Sequence, residues 1–174
     1  MMTKMTPKEF CKWLAPSAYN TDISPVFIIA QAALESGWGG STIGRYNLFG
    51  ITRGSWPADK CILVTTHEYY KTKGVKFNAP EQVVSIEYVP NKKMYRYTCK
   101  RLFRNYATLG EALRDHAAVL QKSWPDAWPY RMSPENYVKK IQSGHKKYAT
   151  SPTYVQTMTK MFAMVRKAMK EAGV

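Results

Sequence analysis

The chain has 174 residues, 45% hydrophobic and 13% aromatic, which excludes disorder and fits one domain spanning residues 1–174. Lys and Arg number 26 against 12 Asp and Glu, and the resulting +14 points to a polyanionic partner, either nucleic acid or the anionic polymers of a bacterial envelope. No apolar run is long enough to cross a bilayer, so no stable membrane insertion is expected. Cys11, Cys61 and Cys99 are too few and too scattered for a disulfide framework or a zinc cluster.

Residues 1–12 contain neither an apolar stretch nor a small-residue cleavage site, so no classical secretory signal is expected. That implies synthesis in a cytoplasm and release by another route. Thr6-Pro7-Lys8-Glu9 is a capping box with Pro at the first helical position, opening a helix that carries Phe10, Trp13 and Leu14. Ser24-Pro25 opens a second in the same way. It is apolar nearly all round from Val26 to Leu34, as a buried helix is, and stops at Gly37. Ile62–Tyr70, Val83–Val89 and Tyr95–Phe103 are rich in β-branched and aromatic residues, with turns at 71–74 and 90–92. They predict a small antiparallel lobe of two or three strands over about 60–103. Thr108-Leu109-Gly110-Glu111 opens a third helix, to about Gln121, and Ser133-Pro134 a fourth, to near Gly144. Ser151-Pro152 opens the last, with Val155, Met158, Met161, Phe162, Val165 and Met169 at helical spacing as core. Helices around a small β lobe describe an α+β domain with a cleft between lobes.

Chemistry concentrates in Gln31-Ala-Ala-Leu-Glu35-Ser-Gly-Trp38-Gly39. Glu35 is a single carboxylate at the end of an otherwise apolar helix. Burial and the negative helix end both disfavour its charged form, raising its pKa. A carboxylic acid still protonated near neutral pH is what cleavage of a glycosidic bond requires. Pairing with Arg45 or Arg104 is the competing structural role. Trp38, in a glycine-rich segment, offers an aromatic face to a sugar ring, and Asn47 offers a donor and an acceptor suited to an N-acetyl amide. His67, His116 and His145 lack metal-ligand spacing, and no helix-turn-helix, RNP or finger signature is present. Neither a metal, nor an organic cofactor, nor nucleic acid is therefore expected.

Ala33-Leu34-Glu35-Ser36-Gly37-Trp38-Gly39 followed by Asn47-Leu48-Phe49-Gly50-Ile51 resembles glycoside hydrolase family 73, the peptidoglycan N-acetylglucosaminidases that include a flagellar rod-associated enzyme and several autolysins. Thr66-His67-Glu68-Tyr69, Leu102-Phe103-Arg104-Asn105-Tyr106, Glu111–His116 and Tyr148-Ala149-Thr150-Ser151-Pro152-Thr153-Tyr154 continue the resemblance in order over roughly residues 20 to 160. The resemblance implies a mainly helical, lysozyme-like α+β fold, its small antiparallel β lobe flanking the active-site cleft. It makes Glu35 the general acid. Glu68 becomes a second carboxylate that assists water or steadies the charged intermediate, Asp115 a further catalytic candidate and Tyr148 a cleft tyrosine. The chain departs from the family at residues 75–100, which read as a basic insertion, and at Ser151, which stands where the family has Asp.

The expected function is endo-β-N-acetylglucosaminidase action on peptidoglycan glycan strands by a monomer at the cell wall, as in a phage endolysin. A muramidase or lytic transglycosylase is the alternative within the enzyme class. A non-catalytic basic protein that binds cell wall or nucleic acid is the alternative outside it.

Overall fold

A computed structural model describes residues 3–144 and 146–174. Met1 and Met2, part of the stretch read for an export signal, and His145, one of the histidines read for metal spacing, lie outside the described residues. The chain forms two compact units. One runs to Phe49 and resumes over Tyr106–Val174, and the other is Gly50–Asn105.

The first unit is helical: α1 (Pro7–Ala18), α2 (Pro25–Ser36), α3 (Leu109–Ser123), α4 (Pro134–Ser143) and α5 (Tyr154–Ala172). The capping box of α1 is complete, with the Glu9 carboxylate accepting from the Thr6 backbone while Thr6 Oγ1 accepts from the Glu9 backbone. In α3 only half of the expected box forms. Thr108 Oγ1 accepts from Glu111 N, but the Glu111 carboxylate reaches one residue further back, to Ala107 N. Pro at the first position starts α2 and α4 without a side-chain cap from Ser24 or Ser133. Pro needs no partner for the N–H it lacks, so one of the orphan donors is already gone.

One expectation fails. Ser151-Pro152 does not open the last helix. Ser151 Oγ and O accept from Thr153 N and Tyr154 N, closing a turn, and α5 starts at Tyr154. Ser151 therefore shapes the approach to the helix instead of capping it.

Eight of the twelve residues of α2 are buried. Around it pack Phe10 and Leu14 of α1, Leu113 of α3, Tyr137 of α4, and Met158, Phe162 and Val165 of α5, all at 0% exposure. Each fully buried large apolar side chain is worth about 1.5–3 kcal/mol. Phe27 anchors the centre, edge-on to Tyr137 with ring centroids 4.8 Å apart. The stripe on α5 is core, as its spacing predicts.

The second unit is a three-stranded antiparallel sheet of β1 (Cys61–Tyr70), β2 (Gln82–Val89) and β3 (Met94–Arg104), in the order β1-β3-β2. All three strands lie within one residue of their predicted bounds. Residues 75–100 contain the β2–β3 hairpin expected there. Val83 pairs with Cys99 and Ser85 with Thr98, so Val84 is an extra residue that bulges from the ladder. Tyr97 is buried at the centre of the sheet. Its hydroxyl donates to Thr72 O and accepts from Val75 N, which pins the loop after β1. Among the described residues no helix is long and apolar enough to cross a membrane.

Candidate active site

Glu35 sits in the last turn of α2, where the helix has used up its apolar residues. Ser36 stays buried, its hydroxyl donating back to Ala32 O and accepting from Gly39 N. Gly37, Trp38 and Gly39 then take φ of 57°, 60° and 81°. That left-handed run is cheap for glycine and costly for Trp38, and it ends the helix immediately after the acid. Although Glu35 is exposed, the surrounding protein still desolvates its carboxyl and raises it above the ordinary carboxylate range. The opposing contribution is a long hydrogen bond of 3.5 Å donated by Tyr148 Oη to Glu35 Oε1. Among the described residues no cation figures in that balance. Arg45 instead lays its guanidinium over the Tyr46 ring at 5.2 Å.

Tyr148 belongs to an aromatic stack. It lies 5.2 Å from Tyr154 at 25° and 5.4 Å from Trp124. Beneath that stack runs a buried polar chain that sequence reading missed. Gln31 Nε2 donates to Tyr154 Oη at 2.9 Å, and Gln31 Oε1 lies 2.7 Å from His116 Nε2. Gln31 is 0% exposed and His116 3%. Burial pushes the His116 pKa down to about 3, so the ring is neutral. His116 also stacks on Phe49 at 3.6 Å and 7°. The signal was present in the sequence as a lone Gln on a helix otherwise apolar from Val26 to Leu34, one turn before Glu35.

The other predicted residues of this unit have different surroundings. Trp38 packs edge-on against Phe10 at 5.5 Å and is partly exposed. Asn47 is 1% exposed, and its backbone closes a two-way bridge with Ile43. Asp115, partly buried on α3, accepts from Tyr106 Oη at 2.6 Å.

Glu68 lies on β1 of the sheet unit, opposite Tyr97. Its carboxylate is ion-paired to Arg101 Nη1 at 2.6 Å and accepts from Tyr70 Oη. Arg101 also pairs through Nε with Glu81 at 3.0 Å, and Glu81 accepts from Leu102 N. Burial and the Glu68 carboxylate together push the Tyr70 hydroxyl up to about 12, so it stays a donor. The Arg101 guanidinium also caps the Phe77 ring at 4.3 Å. Arg53, Lys76, Asn78, Glu81 and Arg101 line an adjacent polar cavity of about 280 Å³. Among the described residues no group of His, Cys, Asp and Glu is arranged to hold a metal ion.

The family model described as mannosyl-glycoprotein endo-beta-N-acetylglucosaminidase, a glucosaminidase, matches residues 12–167. Peptidoglycan hydrolase FlgJ of Pseudomonas aeruginosa is 29% identical over 95% of this chain and 39% of its own length. A probable N-acetylmuramidase of Lactococcus lactis is 29% identical over 85% of this chain and 30% of its own. The chain thus spans well under half of these curated relatives. Among solved structures, the glycoside hydrolase domain of Salmonella typhimurium FlgJ superposes with a TM-score of 0.62 at 27% identity, covering 93% of this chain and 99% of that one.

Proposed function

Because this chain belongs to the glucosaminidase family, glycoside hydrolase family 73, we propose that it hydrolyses the β-1,4 linkage after N-acetylglucosamine in peptidoglycan, with Glu35 as the general acid. One observation carries the assignment: desolvation raises the Glu35 carboxyl above the ordinary carboxylate range, and its neighbour is a tyrosine hydroxyl rather than a cation. Such a group can deliver its proton to the departing glycosidic oxygen. The carboxylate left behind accepts a hydrogen bond from Tyr148. Glu68 is the second carboxylate of the proposal, positioned by Arg101 and Tyr70, and acts on the attacking water or the positive charge at the anomeric carbon. Asp115, engaged by Tyr106, is its alternative.

In this reading Trp38 and Tyr148 contact the glycan. Asn47, being buried, shapes the loop that carries Leu48 and Phe49. The net charge of +14 holds the enzyme on an anionic wall, an attraction that salt weakens.

The test is mass spectrometry of peptidoglycan digested by the protein and then reduced with borohydride. A reduced N-acetylglucosamine end is expected. Similarity to the probable N-acetylmuramidase of Lactococcus lactis favours a second reading, in which the reduced end is muramic acid. An anhydro end would make the protein a transglycosylase. Undigested glycan with retained wall binding would leave only the non-catalytic role.

A further inference from the structure

His116 is a buried titratable group that the proposed chemistry does not use, and it lies at the far end of the polar chain beneath Tyr148 and Glu35. Its Nε2 faces Gln31 Oε1 or, with the Gln31 amide reversed, the Gln31 amino group. These alternatives send the hydrogen bonds in opposite directions. With the amide reversed, Nε2 would be the acceptor and the neutral ring would carry its hydrogen on Nδ1. Nδ1, however, has no hydrogen-bond partner among the described residues. A buried N–H without an acceptor is rarer in folded proteins than an under-satisfied acceptor, so Nδ1 is the bare nitrogen and Nε2 carries the hydrogen. The direction follows: Nε2–H donates to Gln31 Oε1, and Gln31 Nε2–H donates to Tyr154 Oη. Tyr154 receives a hydrogen bond and keeps its own hydroxyl hydrogen as a free donor.

We propose that His116, through Gln31, fixes Tyr154 as a hydrogen-bond donor and so positions Tyr148 against the general acid. His116, Gln31 and Tyr154 are therefore positioning residues of the hydrolase. Tyr148 takes its orientation from the Tyr154 ring it stacks on, and its hydroxyl donates to Glu35 Oε1. The array is set for the moment after proton transfer, when Glu35 becomes an anion and hydroxyl donors stabilise it. Each link has its reason. Phe49 covers the imidazole face at 3.6 Å and keeps the ring dry and neutral. Gln31 is the one polar side chain between Pro25 and Leu34 on α2, one turn before Glu35.

This inference rests on Glu35 being the acid, so its experiment has one arm independent of catalysis. In the ¹⁵N-histidine NMR spectrum, His116 should show a protonated Nε2 and a bare Nδ1, with no charging between pH 8 and 5. A hydrogen on Nδ1, or a ring that charges in that range, would overturn the chain's direction and the proposal with it. The second arm measures kcat and KM on soluble glycan fragments for His116→Phe, His116→Gln and Tyr154→Phe. His116→Phe and Tyr154→Phe should lower kcat by about 10-fold with KM within about twofold, since what is lost is orientation and not binding. His116→Gln, whose amide N–H can replace Nε2–H, should recover to within about threefold of the parent. Equal loss in His116→Phe and His116→Gln, with both variants folded by circular dichroism, would mean that the imidazole only fills space. Glu35→Gln runs alongside. Its retention of activity would sink the proposed function and the catalytic half of this inference, while the NMR result would still report the tautomer.

Discussion

The two glutamates at the centre of this reading occupy opposite kinds of environment. Glu35, in the helical unit, ends a buried apolar helix, with a tyrosine hydroxyl at 3.5 Å and no cation among the causes acting on it. Glu68, in the sheet unit, is held by a guanidinium and a phenol, and that guanidinium holds Glu81 as well. One setting raises the carboxyl's pKa by desolvation, and the other presents an ion pair. Glycoside hydrolysis uses carboxyl groups of both kinds, which is why the proposed function gives the two glutamates different roles.

Removing the proton donor is the strongest way to break that contrast. Glu35→Gln keeps shape and loses the acid, so turnover on purified walls should fall by about 100-fold or more while the fold survives.

The buried imidazole behind Glu35 gives the next largest effect. Its folded pKa, about 3, lies below the unfolded value near 6.5, so its contribution to stability is present above pH 6.5 and is lost as pH falls toward 3. Urea unfolding at pH 6.5 and at pH 5 should show the parent losing about 2 kcal/mol more than His116→Gln, which has no proton to take up. Parallel losses in the two proteins would show that another group carries the acid sensitivity.

Glu68→Gln should lower kcat by about 10-fold with little change in KM, because its charge matters mainly in the transition state. If Glu68→Gln is silent and Asp115→Asn severe, the second role belongs to α3. Arg101→Met removes the cation shared by Glu68 and Glu81 and should cost about 1 kcal/mol in chemical denaturation. The smallest effect has the opposite sign. A raised folded pKa makes ionised Glu35 a liability, so Glu35→Gln should melt slightly above the parent at pH 7. That gap should close as pH falls below the ordinary carboxylate range.

Much of this is legible in the sequence because it is local. Strand alternation places β1, β2 and β3 to within one residue, and Thr6–Glu9 reads directly as a cap. Glu35 stands out because α2 carries so little else that is polar. What stays hidden depends on residues far apart in the chain. Arg101 meets Glu68 and Glu81 only because β3 lies in the middle of the sheet, an order that strand patterns do not encode. Gln31, His116 and Tyr154 come from three helices, and each looks like an isolated exception in its own segment. The start of α5 misleads because Ser-Pro serves equally well in a turn, and Ser151 spends its oxygens there.

The bulge at Val84 matters beyond the enzyme's own sheet. β2 is an edge strand with Val84, Ile86 and Tyr88 exposed. A straight, flat edge of that composition is a template on which a second copy of the chain can add a strand, the first step toward a cross-β fibre. Val84 breaks the hydrogen-bonding rhythm partway along the strand, and Glu87 places a charge further on, paired with Arg96. An incoming strand would find its register interrupted and a carboxylate in its path. Wherever copies of the chain meet at high local concentration, this one extra residue helps keep their edges apart.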